Sequence, residues 1–166
     1  MSHQNRPSEC IVYIDGACSG NPGPAGVGVV IRPHDGSPEE QVARAIGHAT
    51  NNIAEYTALL TALERLQALN ISRATIYSDS ELLVKQVQGE YAVKQPQLKI
   101  LHERARLALH RLPAVKLVHV RREANKDADC LARRAVKESV RASRMAASPL
   151  FEGDEESPSS AGQRSG

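Results

Sequence analysis

The order in which the hydrophobic period changes along the chain limits the fold more than any other feature of the sequence. Five segments have the continuous or alternating apolar pattern of β-strands, and four have the period of amphipathic helices. The strand-like segments lie at 10–14, 26–32, 41–49, 74–78 and 115–120. The helical segments lie at 53–69, at 80–88, from Pro96 onward, and from Asn125 to about Met145. This order, βββαβααβα, predicts an α/β fold, with a mixed sheet that opens as an antiparallel meander and carries helices on its faces.

The length and composition are those of one domain with flanking segments. The chain has 166 residues, of which 41% are hydrophobic, so it can supply one core. We predict a flexible arm at 1–8, a folded domain at 9–145 and a disordered tail at 146–166, where 10 of 21 residues are Ser, Pro or Gly. The sequence has no secretory pattern, no apolar run of about 18 residues, and three irregularly spaced cysteines. These features predict a cytoplasmic protein that does not enter a membrane.

The charge is unevenly distributed, although the net charge is only +2. Between Lys85 and Arg144 there are 15 basic and six acidic residues. This excess is compatible with a phosphate-rich partner, and equally with ordinary solvated helix faces. Aromatic residues make up only 3% of the chain, which disfavours a single-strand binder built on stacked bases.

Two aspartates stand at the ends of apolar strands. Asp15 follows the first strand and opens a glycine-rich turn, and Asp79 follows the strand at 74–78. Each also has an ordinary structural interpretation. Asp15 could bond to the backbone of its own turn. Asp79 could cap the next helix, or lie within a capping box formed by Ser78 and Glu81.

Two further acids lie near the starts of helices. Glu55 shares a helix face with Leu59 and Leu66, so it is expected to point inward. A capping box with Asn52 as the N-cap would also explain an acid at this position. Asp129 lies in the first turn of the last helix, where a negative charge is favourable in any case.

Taken together, these acids indicate a metal site. Ligand sites of open α/β sheets gather where strands end. Four carboxylates in one pocket raise one another's pKa unless cations neutralise them. Oxygen ligands without His or thiolate suit Mg²⁺ or Mn²⁺ better than Zn²⁺. Two such ions would balance four carboxylates, and an ion pair of this kind supports phosphoryl displacement.

Four sequence blocks resemble the signatures of the type I ribonuclease H family. They are DGACSGNPGPAGVGVVI, ATNNIAEYTALLTAL, YSDSELLVKQVQGEY and NKDADCLARRA, in this order. The resemblance extends from about Cys10 to Ala135. Within the family, the chain resembles the shorter bacterial and archaeal branch. It implies a five-stranded mixed sheet with flanking helices, and metal-dependent cleavage of the RNA strand of an RNA–DNA hybrid.

The resemblance also implies roles for individual residues. The catalytic and metal-binding positions of the family fall on Asp15, Glu55, Asp79 and Asp129. The positions that contact the backbone of the hybrid fall on Asn21, Thr50 and Asn51. Small polar side chains of this kind position a nucleic acid without reading its bases.

The sequence departs from the family pattern in two places. Many members carry a histidine on the loop before the last aspartate, whereas residues 121–126 read RREANK. Glu123 is a candidate for an auxiliary role there, and His119 is expected to be structural. A basic protrusion between the second and third helices, found in some members, is also missing. Five basic residues are candidates for replacing its phosphate contacts: Lys85, Lys94, Lys99, Arg121 and Arg122.

The sequence therefore predicts an endoribonuclease for RNA–DNA hybrids that uses two Mg²⁺ ions, with Mn²⁺ as the alternative. We expect a monomer without a protein partner. Two other functions stay open at this point. One is a module of the same fold that binds hybrids or duplexes without turnover, and the other is a related nuclease that prefers another duplex.

Overall fold

The computed structural model describes residues 9–147, which form five strands, four α-helices and one short 3-10 helix. The strands are β1 (Glu9–Cys18), β2 (Gly23–Pro33), β3 (Glu40–Ala49), β4 (Arg73–Ser78) and β5 (Ala114–His119). The helices are α1 (Asn51–Ala68), α2 (Glu81–Val87), α3 (Pro96–Arg111) and α4 (Lys126–Ala147), and the 3-10 helix is Arg122–Ala124. The predicted element order is confirmed.

The strands form one mixed sheet in the order β3-β2-β1-β4-β5. The first three strands pair antiparallel, as the meander prediction required. Strand β4 pairs parallel with β1, and β5 pairs parallel with β4. Parallel neighbours need crossover connections. The chain reaches β4 through α1, and it reaches β5 through α2 and α3. Asp15 lies on β1, and Asp79 directly follows β4.

Two predicted boundaries differ from the structure. Asp15 does not open a turn, because β1 continues to Cys18 and Asp15 pairs with Gly28 of β2. The last helix extends to Ala147, so the first two residues of the predicted tail are helical. The predicted arm at 1–8 and the rest of the tail, 148–166, lie outside the described residues. No helix between Glu9 and Ala147 has both the length and the apolarity to cross a bilayer.

The main core lies between the sheet and α1, and α3 packs on α1 and adds Leu98 and Ala105 to this core. Tyr56, Leu59, Leu63 and Leu66 of α1 are at most 1% exposed, as the helical period predicted. The opposite face of β1, β2 and β3 is covered by α4. The sheet is therefore enclosed between helices that carry Glu55 on one side and Asp129 on the other.

Two glycines let these helices approach the strand that carries Asp15. A Cβ atom on Gly16 would lie 2.3 Å from the backbone carbon of Ala54 in α1. A Cβ atom on Gly28, the partner of Asp15, would lie 2.2 Å from the carbonyl oxygen of Ala128 in α4. Real side chains do not fit at such distances. The glycines therefore bring the starts of α1 and α4 against β1 from opposite faces.

Candidate active site

An open cleft of about 790 Å³ lies where β1, β4, α1 and α4 meet. All four acids singled out in the sequence line it: Asp15, Glu55, Asp79 and Asp129. Three basic side chains, those of Arg122, Arg133 and Lys137, also line it. A cleft with both signs of charge at its wall suits a ligand that combines cations with an anionic backbone.

Three of the acids converge closely. Asp15, Glu55 and Asp79 each offer a carboxylate oxygen, and these oxygens lie within 4.8 Å of one another. Asp15 is 5% exposed, which leaves it little water to stabilise its charge. The Oε2 atom of Glu55 is buried and has no hydrogen-bond partner among residues 9–147. A buried orphan oxygen beside two other carboxylates is the donor arrangement that a divalent cation would complete.

Asp129 lies beside this group and interacts with Asp15, but it is also engaged elsewhere. Its carboxylate accepts a hydrogen bond from the Arg133 guanidinium one turn along α4, with an N–O distance of 3.2 Å. Asp129 nevertheless contributes to raising the pKa of Asp15, through a hydrogen bond and its charge. Asp129 is thus a fourth carboxylate at the edge of the cleft, outside the group of three, and Arg133 is its counter-ion.

The electrostatics of the acids agree with this geometry. Burial, followed by the charges of Asp79 and Asp129, raises the pKa of Asp15 to about 8. Burial and the neighbouring charges of Asp15 and Asp79 raise the pKa of Glu55 well above its usual range. Without cations, both carboxyl groups therefore keep a proton to higher pH than an ordinary carboxyl group does. Strongly perturbed acids in a cleft are typical of functional sites.

The alternative capping interpretations of the acids do not hold. Thr50 caps α1, because its side chain accepts a hydrogen bond from the Ile53 amide at 3.2 Å, so Asn52 is not the N-cap. Ser80 caps α2 by accepting from the Leu83 amide at 3.2 Å. Neither Glu55 nor Asp79 is needed to satisfy a helix terminus. Their convergence on Asp15 has no role in helix capping.

Sequence reasoning missed Asn125, which ties the two halves of the site together. This side chain is 1% exposed, and its Nδ2 atom donates to the carbonyl oxygen of Ile14 at 2.8 Å. The bond joins the residue before Asp15 to the residue before α4. An asparagine at this point in a sequence reads as a helix cap, and no local pattern reveals that it reaches across to β1.

The residues expected to contact a nucleic-acid backbone have different positions. Asn51 lines the cleft, and its backbone amide donates to Asn21 Oδ1 at 3.1 Å. The Cys18 thiol donates to the side-chain oxygen of Asn51, Oδ1, at 2.9 Å. Thr50 is the adjoining helix cap. These residues form one polar rim where β1 and the loop after it meet α1.

The basic candidates are less uniform. Arg122 lines the cleft, and Arg121 is exposed beside it. Lys85 forms an ion pair with Glu81 at 2.7 Å and lies 4.9 Å from the centre of the Tyr91 ring, so it belongs to another part of the surface. Lys94 is exposed in the segment between α2 and α3.

Neither Glu123, the auxiliary candidate, nor His119 lines the cleft. Glu123 is exposed and lines a separate pocket beside Tyr13 and Arg32. His119, expected to be structural, is exposed at the end of β5, and its charge contributes to lowering the pKa of Glu81. The residues that line the cleft beside the four acids instead include Asn51 of α1, Arg122, and Arg133 and Lys137 of α4.

The sheet order and the acidic cleft define a ribonuclease H-like α/β domain. The sequence also matches, over residues 13–135, the family described as reverse transcriptase-like. Ribonuclease HI of Halobacterium salinarum is 39% identical, over 76% of this chain and 64% of the relative. Ribonuclease H of Pelobacter propionicus is 36% identical, over 76% of this chain and 84% of the relative. The chain belongs to the ribonuclease H family.

Solved structures agree with this assignment. The N-terminal RNase H domain of Rv2228c from Mycobacterium tuberculosis superposes with a TM-score of 0.77 at 34% identity, covering 82% of this chain and 99% of that one. The structure of LC11-RNase H1 in complex with an RNA/DNA hybrid gives a TM-score of 0.73 at 40% identity, with 79% and 99% covered. The chain spans 64% of the length of the Halobacterium relative and 42% of the curated Rv2228c protein.

Proposed function

We propose that this protein is an endoribonuclease that hydrolyses the RNA strand of RNA–DNA hybrids. The observation that carries the proposal is the convergence of Asp15, Glu55 and Asp79 within 4.8 Å, with a buried and unpartnered Glu55 oxygen. The names of the relatives and the hybrid bound to LC11-RNase H1 support the same substrate. By analogy with the family, the products would carry 5′-phosphate and 3′-hydroxyl ends.

We further propose that the site holds two Mg²⁺ ions, which Mn²⁺ can replace. The donors fit such ions because all of them are carboxylate oxygens. Bound divalent ions would supply Lewis-acid stabilisation of the phosphate and activation of the attacking water. Asp15 lies centrally, since Glu55, Asp79 and Asp129 all interact with it, so it is the carboxylate expected to serve both ions. Bound ions would compete with Arg133 for the carboxylate of Asp129.

The chain's other residues would orient the hybrid. Asn21, Thr50 and Asn51 form a rim of small polar groups that can hold a phosphate without reading a base. Arg122 lies on the cleft wall and can contact another phosphate, with Arg121 beside it. Selection of RNA for cleavage requires contacts to 2′-hydroxyls in the shallow minor groove. Lys85 and Lys94 would bind more distant parts of the backbone.

We also propose that the protein acts as a monomer in the cytoplasm, without a protein partner. One chain supplies all four acids of the cleft, so the site needs no second subunit. The free thiols of Cys10, Cys18 and Cys130 suit a reducing compartment. Light scattering of the purified protein, alone and with hybrid, tests whether the protein is a monomer. A molar mass that increases with protein concentration would contradict this.

The activity is tested with a hybrid labelled separately on each strand, with Mg²⁺ or with EDTA. We expect internal cuts in the RNA strand only, and none in EDTA. Replacing each ribose by deoxyribose should abolish cleavage at that position. Binding without cleavage would instead favour the non-catalytic module, and preferential cutting of duplex DNA or duplex RNA would favour the related nuclease.

The role of the central acid is tested by Asp15→Asn. Cleavage should fall by more than tenfold, because the substitution removes the central carboxylate charge, while hybrid binding in Ca²⁺ survives. A matched control is Asp35→Asn, which changes an exposed aspartate in the turn between β2 and β3 that bonds only within that turn. If Asp15→Asn retains activity close to that of the control, Asp15 is not part of the mechanism.

A further inference from the structure

We propose that Arg133 and Lys137 of α4 form a backbone-binding strip that holds phosphates of the nucleic-acid substrate beside the four acids. The inference deepens the proposed function, on which it rests, since it concerns the same cleft. Neither residue was expected to bind substrate from the sequence. Both belong to the wall of α4 that begins at Asp129.

The spacing of these residues places them in one row. Asp129, Arg133 and Lys137 follow one another at intervals of four, so they lie on the same face of α4 in successive turns. Each interval advances by about 6 Å along the helix axis. Asn51 lines the same cleft from the start of α1. A backbone bound at the acids would therefore run between the polar rim at Asn51 and the row on α4.

The two basic side chains are available for a ligand. The side chain of Arg133 is 66% exposed, and its ion pair is with Asp129, the acid nearest to the edge of the site. Lys137 is exposed and forms no ion pair with any residue that the structure describes. Divalent ions at the acids would compete for Asp129 and release the guanidinium. Arg133 could then bind a phosphate in place of the carboxylate.

The charge of the cleft gives the strip a function. A nucleic-acid backbone that approaches four carboxylates meets repulsion within a few ångström, less than the screening length of about 8–10 Å at physiological salt. Cations on the cleft wall reduce this repulsion at the place where the backbone must enter. Long basic side chains contact phosphates and do not read base edges, so the strip would act on any sequence. This agrees with a nuclease that selects sugar type and not base order.

The experiment measures binding of a short RNA–DNA hybrid to the full chain in Ca²⁺, between about 50 and 200 mM salt, after verifying that the RNA stays intact. Each lost phosphate contact reduces the slope of log affinity against log salt by about one. We expect Lys137→Gln to weaken binding by about threefold or more at low salt and to reduce the slope. Arg133→Gln should do the same, whereas Arg133→Lys, which keeps the charge, should largely restore the slope.

Arg134→Gln is the matched control. This neighbour is exposed on the same helix but does not line the cleft, so its substitution should leave the slope unchanged. Circular dichroism and the Tm verify that each variant is folded. The inference is overturned if Lys137→Gln and Arg134→Gln have the same slope as the parent protein. Because binding is measured without cleavage, and also on duplex DNA and duplex RNA, a strip that binds another duplex would survive failure of the proposed substrate.

Discussion

Removing the Asp15 charge should stabilise the metal-free protein, and only at high pH. In the folded state the pKa of Asp15 is raised to about 8 by burial and by the charges of Asp79 and Asp129, with Glu55 packed against the same carboxylate. In the unfolded chain an aspartate has a pKa of about 3.9. Between these values the folded protein binds a proton that the unfolded chain has lost. The stability of the parent protein therefore decreases as the pH rises from about 4 to about 8.

The magnitude follows from the size of this window. A difference of about four pKa units, at about 1.4 kcal/mol per unit, sets a ceiling of about 5.6 kcal/mol, of which about 5 kcal/mol is reached at pH 8. Relaxation around the buried site reduces the measured value, so we expect a gain of about 2–4 kcal/mol for Asp15→Asn at pH 8. At pH 4.5 the difference should be only about 1 kcal/mol, because the carboxyl is protonated in the folded state and the unfolded aspartate is only just above its pKa of about 3.9. The expected sign is unusual, since most substitutions of buried residues destabilise a protein.

The assay is urea unfolding in EDTA at pH 4.5, 6 and 8, for the parent protein and for Asp15→Asn. Asp35→Asn is the control, because that aspartate is exposed and its pKa is lowered by bonds to Ser37. Adding Mg²⁺ should reverse the order at pH 8, since the ions bind the ionised parent site and stabilise it by mass action. Destabilisation by Asp15→Asn at every pH, or a difference that does not change with pH, would refute the reasoning.

Three further predictions concern the residues around the acids. Gly28→Ala should destabilise the protein by more than about 2 kcal/mol in urea unfolding, because its Cβ would lie 2.2 Å from the Ala128 carbonyl oxygen; Gly36→Ala, with open space but a positive φ, should lower the stability by only about 1 kcal/mol. Asn125→Ala should destabilise the protein by about 1–3 kcal/mol, since it leaves the Ile14 carbonyl without its buried donor, and an unchanged urea midpoint would contradict this. The increase in Tm produced by Mg²⁺ should be larger at pH 8 than at pH 5.5, because protons on the acids compete with the ions; an equal shift at both pH values would argue against a carboxylate site.

Much of the fold follows from local patterns. The change from alternating to helical periodicity identifies all five strands and all four helices of residues 9–147, because each element buries one face or stripe. The acids at 15, 55, 79 and 129 stand out for a related reason, since each interrupts or borders an apolar pattern. Pattern reasoning works here because burial and periodicity are local properties of the chain.

Other features depend on distances that no local pattern contains. The extension of β1 through Asp15 depends on the register with β2, where Gly28 leaves room for α4. The bond from Asn125 to Ile14 connects positions 111 residues apart. Arg133 and Lys137 line the cleft because of the orientation of α4 about its own axis, which its packing against β2 determines. Tertiary contacts, and not propensity, settle these positions.

The bond between Asn125 and Ile14 has a consequence for protein synthesis. The strand that carries the central acid leaves the ribosome early, whereas its amide anchor and the helix behind it emerge only after more than a hundred further residues have been made. A nascent polypeptide that ends before Asn125 has neither the hydrogen bond to Ile14 of β1 nor the fourth acid. The site with all four carboxylates can therefore form only after the start of α4 has been translated.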